Sequence, residues 1–583
     1  MYHFRVWASL RKKVEVETRG HRHAMERQDD GWWSATVESA QPGSDYTFWL
    51  DDEGPFPDPR SPWQPAGVHG PSRVVDHAAF AWSEGGFQAP PLSSAIIYEL
   101  HIGTFTPEGT FDAAINQLGH LTQLGVTHVE LMPVNEFPGS RGWGYDGVDL
   151  FAPHHAYGGP DALKRLVNAC HGRGLAVLLD VVYNHLGPSG NYLGQFAPYF
   201  NSRYSTPWGP ALNFDGPHSD EVRRFFCDNA LMWLRDYHFD GLRLDAVHAI
   251  CDTSAVPFLE QLGAEVRDLG ARSGRPLAVI AESDLNDPRL LWLVERGGFG
   301  LAAQWSDDFH HALHSRLTGE RGGYYADFGS LADLATAFRQ AYVYDGRYSV
   351  HRHRRHGRAP TGLDGHRFLA YAQNHDQVGN RAQGERLSQL VSLGRLQIAA
   401  ALVLTSPFVP LLFQGEEWGA RTPFLFFSEH SEPALAQATR DGRRREFAAF
   451  GWKAEEIPDP QATDTFLRSK LNWSEREQGW HGALLDWHRR LIRLRHAEPA
   501  LSDGRLDRIT TRFDEAARWL VVERGPISVA CDFSPHTQKV PLRAGSHSRL
   551  MVSEEAIELT ITSVVLPPDS VAVLKLSEMG FSL

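Results

Sequence analysis

Cysteine is scarce in this chain. It has four in 583 residues, Cys170, Cys227, Cys251 and Cys531. They show neither the paired spacing of a zinc site nor the density of a disulfide framework, so a reducing compartment is expected. Positive charge is in deficit: 57 Lys and Arg against 71 Asp and Glu leave a formal charge of −14. That balance argues against nucleic acid and anionic membranes as partners. The amino terminus, Met1-Tyr-His-Phe-Arg-Val-Trp, lacks the basic start and apolar core of a secretion signal and begins in strand-like alternation. Long hydrophobic runs are missing too. The longest, 396–413, is interrupted by Gln397, Pro407 and Pro410, so it reads as a buried helix leading into a strand rather than as a membrane span. No short repeat or low-complexity tract stands out. These absences leave a cytoplasmic globular protein, long enough for two to four domains. Aromatic residues, by contrast, are plentiful at 11%, with 17 Trp, which suits a carbohydrate-handling surface as well as a large core.

Residues 1–90 alternate in strand fashion (Phe4, Val6, Ala8; Trp33, Ala35, Val37; Tyr46, Phe48, Leu50) between Gly- and Pro-rich turns. That pattern predicts an N-terminal β-sandwich. From Ile96 the rhythm becomes strand, loop, helix. Eight short apolar runs, 96–102, 128–134, 176–182, 242–247, 277–281, 300–305, 368–373 and 409–414, alternate with helix-patterned segments such as 161–171 and 221–237. This predicts the α/β class, with a (β/α)₈ TIM barrel over 91–500 and an insertion at 186–218 after the third strand. Strand rhythm returns over 501–583 and predicts a C-terminal β-sandwich.

The chemistry centres on 240–248, Asp-Gly-Leu-Arg-Leu-Asp-Ala-Val-His. Asp240-Gly241 signals a turn, and Leu242, Leu244 and Val247 make a short buried strand. Arg243 and Asp245 are two apart and share one strand face. A guanidinium beside a carboxylate keeps it ionised, ready to attack an electrophilic carbon or stabilise a cation. One such pair alone could be purely structural. Similar strand ends recur, however: Asp180-Val-Val-Tyr-Asn184-His185, Glu282-Ser-Asp284, Asp307-Asp308-Phe309-His310-His311 and Asn374-His375-Asp376-Gln377. In such a barrel the reacting groups sit at the carboxyl ends of the strands. Carboxylates interleaved with His, without a Ser or Cys nucleophile, point to cleavage of an acetal rather than an ester or amide. A glycosidic bond needs a proton donor for the leaving oxygen and a carboxylate on the other side of the ring. Asp245 suits the nucleophile. Glu282, preceded by Val279-Ile280-Ala281, suits an acid whose pKa is raised by partial burial. Asp376 would be the third carboxylate, with His185 and His375 bonding sugar hydroxyls. As residues of an extended strand end, His310 and His311 would face opposite ways and could not readily share an ion. Gly142–Gly147 fits the G-x-G-x-x-G pattern, but Trp143 and Tyr145 are bulky and no helix follows, so a dinucleotide site is rejected.

Together, 180–185, 241–245, Glu282 and 374–376 resemble the four signature regions of glycoside hydrolase family 13, the α-amylase family, each after the expected strand. The N-terminal sandwich is similar to a family-48 carbohydrate-binding module. The resemblance implies a retaining double displacement in which Asp245 is the nucleophile, Glu282 the acid/base and Asp376 the transition-state stabiliser. Many amylases carry Lys-His after the nucleophile. Here His248 and Ala249 stand there, which points away from ordinary α-amylase specificity. Asn184 matches a calcium-binding position of many amylases, but a full ligand set is missing, so no metal and no other cofactor is expected. Four longer stretches, 67–72, 98–110, 305–311 and 318–325, resemble the branch that releases trehalose from maltooligosyl trehalose, an α-glucan substrate. This resemblance implies that Tyr145 stacks on the sugar beside the cleaved bond. It also implies substrate contacts from Asp307, Asp308, Phe309, His310 and His311. The same is implied for His185, Arg243, Leu244, Ala246, Val247, His248, His375, Gln377, Val378, Gly379 and Asn380. A glucan branching enzyme and a non-catalytic glycan-binding protein are the rivals, the second disfavoured by the presence of all three carboxylates.

Overall fold

A computed structural model describes residues 1–206, 209–448, 453 and 456–577. Eight parallel strands close into a barrel: β1 (Ile97–Leu100), β2 (His128–Leu131), β3 (Ala176–Val181), β4 (Gly241–Leu244), β5 (Ala278–Ala281), β6 (Ala303–Trp305), β7 (Phe368–Ala370) and β8 (Val409–Phe413), with β8 pairing to β1. Seven lie within the runs read from the sequence, and β4 starts one residue before its run, at Gly241. The inward positions follow the two-residue period of a strand. Ile97, Leu178, Ile280, Leu369 and Leu411 fill the lower interior. Two residues further along, Glu99, Asp180 and Glu282 turn the lining polar. Gly241 opens β4 because a side chain there would lie 2.6 Å from the Ala278 carbonyl oxygen. Only glycine lets β4 and β5 approach closely enough to hold Arg243 and Glu282 side by side.

Before the barrel, one sheet joins Tyr2–Trp7, Trp32–Val37 and Glu26–Arg27, and a second is built on Val14–Thr18, His21–Ala24, Asp45–Leu50 and Glu53–Phe56. Phe4, Val6, Val16, Trp33 and Phe48 are buried in their core. After it come a five-stranded sheet, from Ile509–Asp514 to Ser570–Leu576, and a three-stranded one, with Val521, Ala530, Val564 and Ala572 in a separate core. The stretch after β3 contains a short helix, Leu193–Phe196, and a hairpin of Phe200–Thr206 with Gly209–Leu212. Among the described residues no helix is long and apolar enough to cross a membrane.

At the amino-terminal end of the barrel, Arg495 from helix Gly479–Ala497 and Arg524 from strand Trp519–Arg524 are buried against the turn that follows helix Leu393–Leu404. Arg495 donates to the carbonyls of Leu404, Ser406 and Phe408 at 2.6–3.0 Å. Arg524 donates to those of Thr405, Ser406 and Leu501 at 2.7–3.0 Å and also to that of Asp503. These carbonyls lie where a helix ends and would otherwise be left without donors. Burial depresses both guanidiniums, Arg495 to about 9 and Arg524 to about 10.

Candidate active site

Arg243 is 0% exposed and forms the hub of the carboxyl end of the barrel. Its Nη1 lies 2.6 Å from Asp180 Oδ2 and 3.0 Å from Asp245 Oδ1. Nη2 is 3.5 Å from Glu282 Oε2, and the guanidinium carbon sits 4.3 Å above the Trp305 ring. Three carboxylates thus share one cation held on an aromatic face, where low local polarity strengthens every contact. Asp245 keeps its other oxygen 2.8 Å from Asn184 Nδ2, so the carboxylate is fixed on both sides. Directly after it, Ala246 is left-handed at φ 39 and ψ 49. Its N–H donates to Glu282 Oε2 at 2.6 Å, so a single peptide ties the two side chains together.

Glu282 has 14% of its side chain exposed. Burial raises its pKa well above the carboxylate range. Arg243 opposes the rise, while the negative charges of Asp245, Asp307 and Asp376 add to it. The shift favours the protonated form of Glu282, while Asp245 lies 3.0 Å from Arg243 Nη1. The two carboxyls thus sit in different surroundings, Glu282 desolvated and Asp245 against the guanidinium.

Asn374 caps the short helix His375–Gly379 with its side chain and delivers His375 and Asp376 to the rim. His375 Nδ1 is bonded to Glu99 Oε1, and Nε2 lies 2.8 Å from the Tyr145 hydroxyl. Burial lowers this imidazole, but the charges of Asp376 and Glu99 prevail and raise it to about 9. Tyr145 donates to Asp180 Oδ2 at 2.6 Å, and its ring stacks on His375. His185 is pushed down by burial and stays neutral, its Nε2 3.1 Å from the Tyr145 carbonyl oxygen. A cavity of about 300 Å³ is lined by Trp143, Tyr145, Asp146, His185, Asp245, Ala246, Glu282, His375, Asp376, Phe426 and Phe427. Three acids line this one pocket, Glu282 shifted toward its protonated form and Asp245 paired with Arg243, a set suited to displacement at an acetal carbon.

Comparison with known proteins agrees with this chemistry. The family described as Alpha amylase, catalytic domain, matches residues 78–205, and the Domain of unknown function (DUF3459) matches 504–573. The malto-oligosyltrehalose trehalohydrolase of Mycobacterium tuberculosis (strain ATCC 25618 / H37Rv) is 50% identical over 584 residues, covering 99% of this chain and 100% of that protein. Its counterpart from Rhizobium sp. (strain M-11) is 48% identical, covering 98% and 97%. The chain belongs to the malto-oligosyltrehalose trehalohydrolase family. A crystal structure of a candidate alpha amylase from Salmonella typhimurium superposes with a TM-score of 0.90 at 40% identity, covering 98% of this chain and 97% of that one.

In this trehalohydrolase-family chain, a second cavity of about 360 Å³ lies beyond Ala246 and is lined by Val247, His248, Asp252, Leu285, Asp287 and Phe299 among others. The segment after β6 departs from the extended strand end expected of it. Ser306 caps a helix, Asp307–Thr318, so 307–311 form its first turn. Helical geometry brings Asp307 and His311 to one face and turns the residues between them inward. Asp307 accepts from the Tyr371 hydroxyl at 2.5 Å, and burial lifts its pKa to about 7. His311 packs against the Tyr324 ring at 4.9 Å. Asp308 is buried and accepts from Asn286 Nδ2 and from the N–H groups of Val343 and Tyr344 at 2.6–2.7 Å. Phe309 packs between Phe338 and Phe408 in the core. His310 is buried between the Ala372 carbonyl and the Tyr325 hydroxyl. Leu244 is a buried strand residue, and Val378 and Gly379 are buried around Trp143. These six stand behind the cavity wall, where the expected sugar contact is blocked by packing. Gln377 closes the cap on Asn374. Asn380, at the rim, donates to Asp376 Oδ1 at 3.2 Å.

Sequence reasoning passed over Glu99 and Glu130, which neighbour each other on β1 and β2 inside the barrel, and also Asp146, Phe426 and Phe427. The period-2 spacing of Glu99 from Ile97 was a usable signal. Phe426 and Phe427 lie in irregular chain with no periodicity to read. Glu417, just after β8, is fully buried and held by Tyr98 and His120 at 2.7–3.2 Å.

Proposed function

We propose that this chain is a retaining glycoside hydrolase that cleaves the α-1,4 bond next to the terminal trehalose unit of maltooligosyl trehalose and releases trehalose. The carboxylate of Asp245 attacks the anomeric carbon while Glu282 protonates the departing glycosidic oxygen, freeing trehalose and leaving a glucosyl ester on Asp245. Glu282, now ionised, takes a proton from water. That water attacks the same carbon, the ester breaks, and both carboxyls return to their starting states. Asp376 binds hydroxyls and faces the developing positive charge on the ring. His185, His375 and Tyr145 hold the sugar in the pocket, and Asp307, His311, His248 and Asn380 meet substrate from the rim.

One observation carries this reading: Asp245 and Glu282 flank a single guanidinium at the wall of one cavity, joined by the Ala246 N–H. The test is a product analysis with maltotriosyl trehalose and, separately, maltopentaose. Rapid trehalose from the first and slow cleavage of the second are expected. New α-1,6 linkages would replace the reading with a branching enzyme, and two inert mixtures would replace it with a glycan-binding protein. The four cysteines are unpaired, which supports a reducing, cytoplasmic setting, and the released sugar supports a role in trehalose biosynthesis.

A further inference from the structure

The hairpin that presents Trp143 and Tyr145 to the cavity is closed at its base by Asn135–Glu136 pairing with Asp149–Pro153. Three side chains converge at that base, away from Asp245. Glu136 is fully buried, and its Oε2 accepts the backbone N–H of His155 at 2.8 Å. This turns Oε1 toward two imidazoles, with His155 Nδ1 at 2.6 Å and His154 Nδ1 at 3.1 Å. All three donor atoms lie within 4.8 Å of one another. His154 is fully buried, yet its Nδ1 makes no hydrogen bond despite facing the carboxylate. Its Nε2 also lacks a partner, and a ligand at Nδ1 would leave that unchanged. Across the ladder, Asp149 is paired in register with Glu136, buried, with Oδ2 unpartnered.

With protein groups alone, His155 pairs with Glu136 at 2.6 Å, but the buried His154 Nδ1 is left without a hydrogen bond, which costs stability. A divalent cation at the point the three atoms share gives that nitrogen a partner. We propose that Glu136, His154 and His155 form a binding site for a divalent d-block cation of the zinc class. Two imidazoles and one carboxylate suit zinc, whereas calcium takes oxygen ligands. His155 keeps 29% of its side chain exposed, which leaves solvent a route to a fourth ligand position. The cation would pin the base of the hairpin that holds Tyr145.

The experiment uses the full chain, stripped with chelator and then titrated with ZnCl₂, CoCl₂ or CaCl₂. Expected results are one equivalent of zinc retained per chain after desalting, visible d–d absorption with cobalt, a zinc-dependent rise in Tm and no retained calcium. Zinc affinity should weaken as pH falls, because imidazole must lose its proton to bind. His155→Ala, at a half-exposed position, and Glu136→Gln should each weaken zinc binding at least tenfold and remove the Tm rise, leaving a cooperative metal-free unfolding transition. The proposal is overturned if no equivalent is retained. It is also overturned if calcium is preferred, or if both variants retain zinc as tightly as the parent, which would assign the metal to surface histidines. None of these readouts depends on trehalose release.

Discussion

Arginine is buried at both ends of this barrel, and the partners it meets are opposite in kind. At the carboxyl end Arg243 faces the carboxylates of Asp180, Asp245 and Glu282. At the amino end Arg495 and Arg524 face backbone carbonyls, which cannot gain or lose a proton. The first arrangement makes protonation states interdependent. The second only ties helix, turn and C-terminal sheet together. A barrel can therefore keep its chemistry and its staple in the same side chain, separated by its own height.

The contrast can be broken most sharply at the carboxyl end. Asp245→Asn and Glu282→Gln should each lower kcat about a thousandfold or more, with thermal unfolding little changed. A modest loss in either would separate these residues from the reaction. Arg243→Lys keeps the charge but loses the planar fork, and should cost about a hundredfold in kcat. At the amino end the expectation reverses. Arg495→Met should leave kcat intact and remove about 3 kcal/mol in denaturant unfolding, because buried carbonyls lose their donors. A large drop in activity for a folded Arg495→Met would show that the two ends are coupled.

Two pH experiments sharpen the same comparison. Asp307 is among the charges that raise Glu282. Asp307→Asn should therefore move the alkaline limb of kcat to lower pH, measured as a pH–rate profile. His375 is raised from 6.5 to about 9, so its ionised form contributes stability that is complete below pH 6.5 and fades as pH rises through 9. Glu99→Gln takes away one of the charges that hold it up. The fall in stability between pH 6.5 and 9 should flatten, by about 1.4 kcal/mol for each unit His375 drops. An unchanged slope would show that Asp376 alone sustains the imidazolium.

Much of this was legible in the chain itself. The eight strands announced themselves because buried parallel strands must be short apolar runs, and Arg243 and Asp245 because charges inside such a run demand a reason. The helix at 307–318 was missed at its start: Ser306 is a good cap followed by two acids, but the polar run after Trp305 looked like one more strand end. Phe309 and His310, which the resemblance implied as substrate contacts, lie in the core because they fall on the inner face of that helix. The cavity wall from Phe426 and Phe427 was illegible for a different reason, since irregular chain carries no period and its place is set only by long-range packing.

Ala246 adds one consequence. A residue with a Cβ seldom occupies the left-handed region, and here it does so between Asp245 and Glu282, the proposed nucleophile and acid. The two strand tips are thereby yoked like the jaws of a calliper, because the residue that follows Asp245 also grips Glu282. Evolution could rebuild every surrounding loop for a new glucan and leave that gauge untouched.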